Sequence, residues 1–119
     1  MISFLDLKAQ NQEIFSGPVI SFAEKSFDFG DIKQGSIVSH IFKFKNSGNA
    51  PLIIKDVKST CGCTIPEFSK GPIMPGAEGE ISVTFNSLGK QGINNKSVQV
   101  ESNAPPVLLG IRVNVLPKK

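Results

Sequence analysis

The chain has 119 residues, 39% of them hydrophobic, with nine Phe and neither Trp nor Tyr. That is material for one domain rather than two, and enough to bury a core without staples. The net charge of +3 comes from 12 Lys and a single Arg, Arg112, against 10 acids. Nucleic-acid readers favour the bidentate Arg fork or aromatic platforms beside basic grooves, so no nucleic-acid partner is expected. The lysines read instead as solvent-facing residues that guard strand edges.

No run approaches the roughly 20 apolar residues of a membrane helix, so no membrane span is expected. Residues 1–17 show neither a strand pattern nor a helix cap and read as a leader remnant or a flexible arm. The leader reading rests on Leu7-Lys8-Ala9 before Gln10-Asn11-Gln12, which looks like the end of an export signal whose start lies further upstream. The arm reading stays open beside it.

The domain is expected over residues 18–117. Pro18 to Phe22 reads as a short strand, and Ser26 to Phe29 as a second with Phe27 and Phe29 on one face. Gly30 to Gly35 reads as a turn region holding Ile32 as a plug under the sandwich end. Ser36 to Lys45 is the clearest strand. Val38, His40, Phe42 and Phe44 share one face, and Ile37, Ser39, Ile41, Lys43 and Lys45 the other, the period-2 alternation of a half-buried strand. Asn46-Ser47-Gly48-Asn49 is turn chemistry.

Leu52 to Lys58 follows as a strand, then the Cys61-Gly62-Cys63 loop, after which Pro66 bars central pairing. Glu80 to Asn86, Lys96 to Ser102 and Val107 to Leu116 alternate again, separated by Gly89, Gly92 and Asn103-Ala104-Pro105-Pro106. Short strands with turns at this spacing, and no helical periodicity, predict an all-β fold. It is an Ig-like β-sandwich of seven to eight antiparallel strands, held by packing alone.

Phe29-Gly30-Asp31-Ile32, Phe42-Lys43-Phe44-Lys45-Asn46-Ser47-Gly48, Pro51-Leu52-Ile53-Ile54 and Cys61-Gly62-Cys63-Thr64 together resemble the bacterial domain of unknown function 1573 family. Pro75-Gly76, Thr84-Phe85-Asn86 and Ser102-Asn103 fit the same pattern, so the likeness runs over roughly residues 20 to 116. The resemblance implies an Ig-like sandwich related to the sperm-protein-like and Hydin-like domains. It also implies export, with no established activity. The expected location is therefore periplasmic or extracellular, while a cytoplasmic one stays open because a complete leader is lacking.

Cys61 and Cys63 admit three readings. They could pack as small hydrophobes. They could form a disulfide, for which Gly62 must bend the chain because an extended Cys-x-Cys places its Cα atoms near the ~7 Å limit for bridging. As free thiolates they could hold a soft ion such as Cu(I), though not complete a four-ligand zinc site. His40, the only histidine, shares a face with Phe42 and Phe44 and reads as a core or rim residue.

No nucleophile elbow or phosphate-binding glycine loop is present, so an enzyme is not expected, and no cofactor is implied. The expectation is an exported binding or structural module whose partner is a protein, engaged through a sheet edge. Its candidate interaction loop is Thr60, Cys61, Gly62, Cys63 and Thr64. The alternative is a thiol-redox or Cu(I) carrier acting through Cys61 and Cys63.

Overall fold

The alternation becomes eight strands in a computed structural model that describes residues 17–118. They are β1 (Ile20–Phe22), β2 (Ser26–Lys33), β3 (Ile37–Asn46), β4 (Ile54–Ser59), β5 (Thr64–Phe68), β6 (Glu78–Asn86), β7 (Gly92–Ser102) and β8 (Val107–Leu116). The leader or arm expected over residues 1–17 lies, apart from Gly17, outside the described residues. Two four-stranded sheets, ordered β1-β3-β6-β5 and β2-β8-β7-β4, face one another.

One pairing departs from the antiparallel expectation: β2 runs parallel to β8. The cause is a change of sheet. β1 pairs with β3 in the first sheet, then Ala23, Glu24 and Lys25 carry the chain across to the edge of the second. There the Gly110 N–H donates to the Lys25 carbonyl at 2.8 Å and opens the ladder with β8. β2 and the last strand, β8, thus meet without a hairpin, which antiparallel pairing of sequence neighbours would have required.

The turn expected over Gly30–Gly35 is mostly strand. β2 continues to Lys33 through a bulge between Asp28 and Asp31. Gly30 takes φ +75° there and its N–H donates to Asp28 Oδ1 at 2.8 Å. Glycine is needed because a side chain at that φ is strained. A sequence run through Pro66 also becomes a strand, β5, but at a sheet edge, where proline is tolerated.

The inward rows meet as the alternation predicts. Phe42, Phe44, Val83, Phe85, Ile111 and Val113 are all buried in one layer between the sheets. Burying each such side chain contributes about 1.5–3 kcal/mol. Phe44 lies opposite Gly79 in the β3–β6 register, and its ring occupies the space a Cβ at Gly79 would need.

Asn46 ends the inward row of β3 and is fully buried. Its Nδ2 donates to the carbonyls of Ala50 and Ile73, both at 2.8 Å. Its Oδ1 accepts from the N–H of Gly48 at 2.9 Å and of Val19 at 3.3 Å. A buried amide is tolerable only when satisfied in this way. The side chain thereby ties β1, the turn after β3 and the Ile73 segment together.

Candidate functional site

Residues 60–63 link β4 of one sheet to β5 of the other. Cys61 and Cys63 form a disulfide with their Cα atoms 5.2 Å apart, within the range a bridge accepts. Both sulfurs share one covalent bond, so holding a soft ion would first require reduction. Among the described residues no group of three or more His, Cys, Asp or Glu gathers as a metal site.

The loop is held independently of the bridge. Ser59 Oγ donates to the carbonyls of Thr64 at 2.7 Å and Cys61 at 3.0 Å. The Thr64 N–H donates to the Cys61 carbonyl at 3.1 Å, and the Asn86 N–H to the Cys63 carbonyl at 2.9 Å.

Within the candidate interaction loop, Thr60 and Gly62 are exposed and the two cysteines are half-buried. Thr64 is buried, with its Oγ1 3.7 Å from Cys63 Sγ. It supports the loop from beneath and offers no surface. Ser59 does as much for the loop geometry and was not singled out by sequence. Its signal is a hydroxyl directly before a turn, which can bond nearby backbone. Lys58 faces Glu101, 3.5 Å away on β7, rather than the sulfurs.

The strand edges differ in how they are protected. On β5, Cys63 and Ser69 direct backbone groups toward β6, so by two-residue alternation Pro66 falls at an outward position, where its missing N–H removes a free donor. On β4, Asp56 Oδ1 accepts the Val57 N–H at 2.8 Å, beside a bulge and two lysines, Lys55 and Lys58. On β2 the Gly30 bulge blunts the edge. β7 runs beyond β4 over Gly92–Ser97, where Asn94 Nδ2 donates to the Gln91 and Gly92 carbonyls.

β3 lacks such a device over Ile37–Ile41. β1 covers only Phe44–Asn46, while β6 pairs with the whole strand. The bonds from Asn46 N–H to Ala77 and from Ser87 N–H to Ser36 place the even-numbered backbone groups of β3 toward β6. Ile37, Ser39 and Ile41 therefore direct their N–H and C=O groups outward, where no backbone partner is found among the described residues.

Their side chains lie on the outer face, with Ile37 63% and Ile41 47% exposed, and Ile65 joins them across Thr84. Opposite charges meet only further along, Lys43 opposite Glu80 and Lys45 opposite Glu78. The open edge is thus bordered by an uncharged, partly apolar face.

A family model for a protein of unknown function, DUF1573, matches residues 20–115. The chain belongs to the DUF1573 family. No curated protein matches it.

Among solved structures, this DUF1573 domain is similar to a protein of unknown function from Porphyromonas gingivalis W83, with TM-score 0.72 and 15% identity, over 84% of this chain and 48% of that one. It is similar to the ASH/PapD-like domain 7 of human CEP192, with TM-score 0.69 and 13% identity, over 84% and 87%. A third likeness is to the secreted serine protease VesC from Vibrio cholerae, with TM-score 0.60 and 14% identity, over 90% and 24%. The chain thus spans about half of the P. gingivalis protein. At these identities the likenesses establish the Ig-like, PapD-like sandwich and nothing finer.

Proposed function

We propose that this DUF1573 domain is an exported, non-enzymatic binding module that takes an extended segment of a partner protein onto the free edge of β3. The observation that carries the reading is the backbone at Ile37, Ser39 and Ile41, unpaired on that side among the described residues, set against the blunted edges of β2, β4 and β5. An added strand would complete the ladder there and gain direction from main-chain bonds. Each bond adds about 0.5–1.5 kcal/mol net.

Side-chain choice would come from the outer face. Ile37 and Ile41 favour a partner with apolar residues at alternate positions. Export is supported by the disulfide, since such bridges persist in oxidising compartments.

A panel of peptides of about eight residues, the length of an ordinary strand, tests the reading by amide NMR on the full chain. Bound peptides with alternating apolar residues should perturb and protect the amides of Ser39 and Ile41. Ser39→Pro and Ile41→Lys should abolish that binding while leaving the thermal transition in place. Binding that survives both substitutions, or that maps to another edge, overturns the proposal.

A further inference from the structure

The Cys61–Cys63 bridge spans a separation of two residues and ties together nothing that is not already tied. Ser59, Thr64 and Asn86 hold the loop by the bonds described above, so opening the ring leaves β4 and β5 joined. A bridge over so short a segment also removes little entropy from the unfolded chain. A small sandwich with a continuous buried core has no need of it as a staple.

The surroundings of the sulfurs suit exchange instead. Neither cysteine is sealed in the core, and Gly62 between them is exposed with open space where a side chain would stand. The Cys63 N–H donates to Cys61 Sγ at 3.2 Å. The Thr64 hydroxyl lies 3.7 Å from Cys63 Sγ, and in the bridged state only the hydroxyl carries a proton to donate. Donors aimed at sulfur stabilise thiolates, and a stabilised thiolate is the better leaving group. The two sulfurs are also unequal: Cys63 packs against the core cluster and Cys61 does not.

We infer that Cys61–Cys63 is a thiol–disulfide exchange site that accepts two electrons from a protein dithiol. The partner's thiolate attacks Cys61 Sγ, the sulfur of the residue that does not pack against the core cluster. The Cys61–Cys63 bond breaks, a partner–Cys61 bond forms, and Cys63 leaves as a thiolate beside the Thr64 hydroxyl. The partner's second thiolate then attacks its own sulfur in the mixed disulfide and releases Cys61 as a thiolate held by the Cys63 N–H. The partner ends as a disulfide, and its two protons end on Cys61 and Cys63. This site is separate from the β3 edge, and either can fail without the other.

The test uses the oxidised full chain with dithiothreitol as the dithiol probe, and the single-cysteine variants with oxidised glutathione. Samples are quenched with iodoacetamide and read by intact mass. The expected result is complete reduction by dithiothreitol without denaturant, unchanged circular dichroism, and a thermal midpoint within about 10 °C of the oxidised form. With oxidised glutathione, Cys63→Ser should form a mixed disulfide at Cys61, releasing one reduced glutathione, about tenfold faster than Cys61→Ser does at Cys63.

Reduction that requires denaturant, or a larger loss of thermal stability in the reduced wild type, would make the bridge a staple and overturn the inference. A chain that shows no mass change on reduction overturns it as well. Equal glutathione uptake by the two variants would remove the assignment of Cys61 as the attacked sulfur.

Discussion

The imidazole of His40 lies face to face with the ring of Phe27, 3.7 Å between centroids and 9° between planes. His40 belongs to β3 and Phe27 to β2, so the stack joins the two sheets on the side where β1 ends. Phe42 meets the imidazole edge-on at 4.7 Å, and Glu24 Oε2 sits 3.3 Å from His40 Nε2. The sequence reading of His40 as a rim residue of the core agrees with this placement.

Because the stack ties the two sheets on that side, His40→Ala should cost about 1–2 kcal/mol, whereas His40→Phe should stay within about 1 kcal/mol of wild type. A double-mutant cycle with Phe27→Ala in urea should return a coupling of about 0.5–1.5 kcal/mol. Simple additivity would mean the rings touch without stabilising each other.

Asn46 is expected to be the most sensitive polar position. Asn46→Ala strands the carbonyl of Ala50 and the N–H groups of Gly48 and Val19, while the Ile73 carbonyl keeps the Leu52 N–H, and should cost about 3 kcal/mol. Asn46→Asp should cost at least as much, since it turns two donors into acceptors facing carbonyls and buries a charge. The exposed control Ser39→Ala should stay within about 0.5 kcal/mol. Chemical denaturation of the three variants decides the matter, and a mild Asn46→Ala would show the network to be dispensable.

Two glycines are held by crowding rather than by φ. A Cβ at Gly48 would run into backbone of Gly17–Val19, which cannot move aside, while one at Gly79 meets the Phe44 ring, which can. Gly48→Ala should therefore cost about 3 kcal/mol and Gly79→Ala about 1–2 kcal/mol. Phe44→Leu should absorb part of the Gly79→Ala penalty in the double variant. Thermal melts showing the reverse order of the two alanines would contradict this account.

Pro66 is assigned to keeping the β5 edge closed. Pro66→Val restores an outward N–H and should leave the melting temperature within a few degrees, because the position makes no ladder bond toward β6. It should raise concentration-dependent self-association in light scattering. A variant as monodisperse as wild type at every concentration would remove that role from the proline.

How far the sequence could be read depended on whether parity alone decided the outcome. β8 was legible from end to end, since Val107 to Leu116 alternates without interruption and the strand has those bounds. β3 was legible nearly as well, including the outward Ile37 and Ile41. β2 was cut short because Gly30 looks the same in a turn and in a bulge. β5 is hidden in the sequence because Pro66 bars a central strand but not an edge strand.

Asn46 read as turn chemistry, although it continues the even-numbered inward row of Phe42 and Phe44. That parity was the signal for a buried amide. At the candidate site, the choice among packed thiols, bridge and metal pair depended on how far the chain bends at Gly62. Composition does not encode that bend. The free edge of β3 was equally hidden, because it follows from where β1 stops and the chain changes sheets.

Amide hydrogen exchange along β3 of the free, full-length chain tests the central claim most directly. His40 and Phe42 bond into the β6 ladder and should be protected at least about 10³ times more than Ser39 and Ile41, whose N–H groups face the open edge. Protection of all four alike would show that edge already covered, and a module built to receive a strand there would no longer describe this protein.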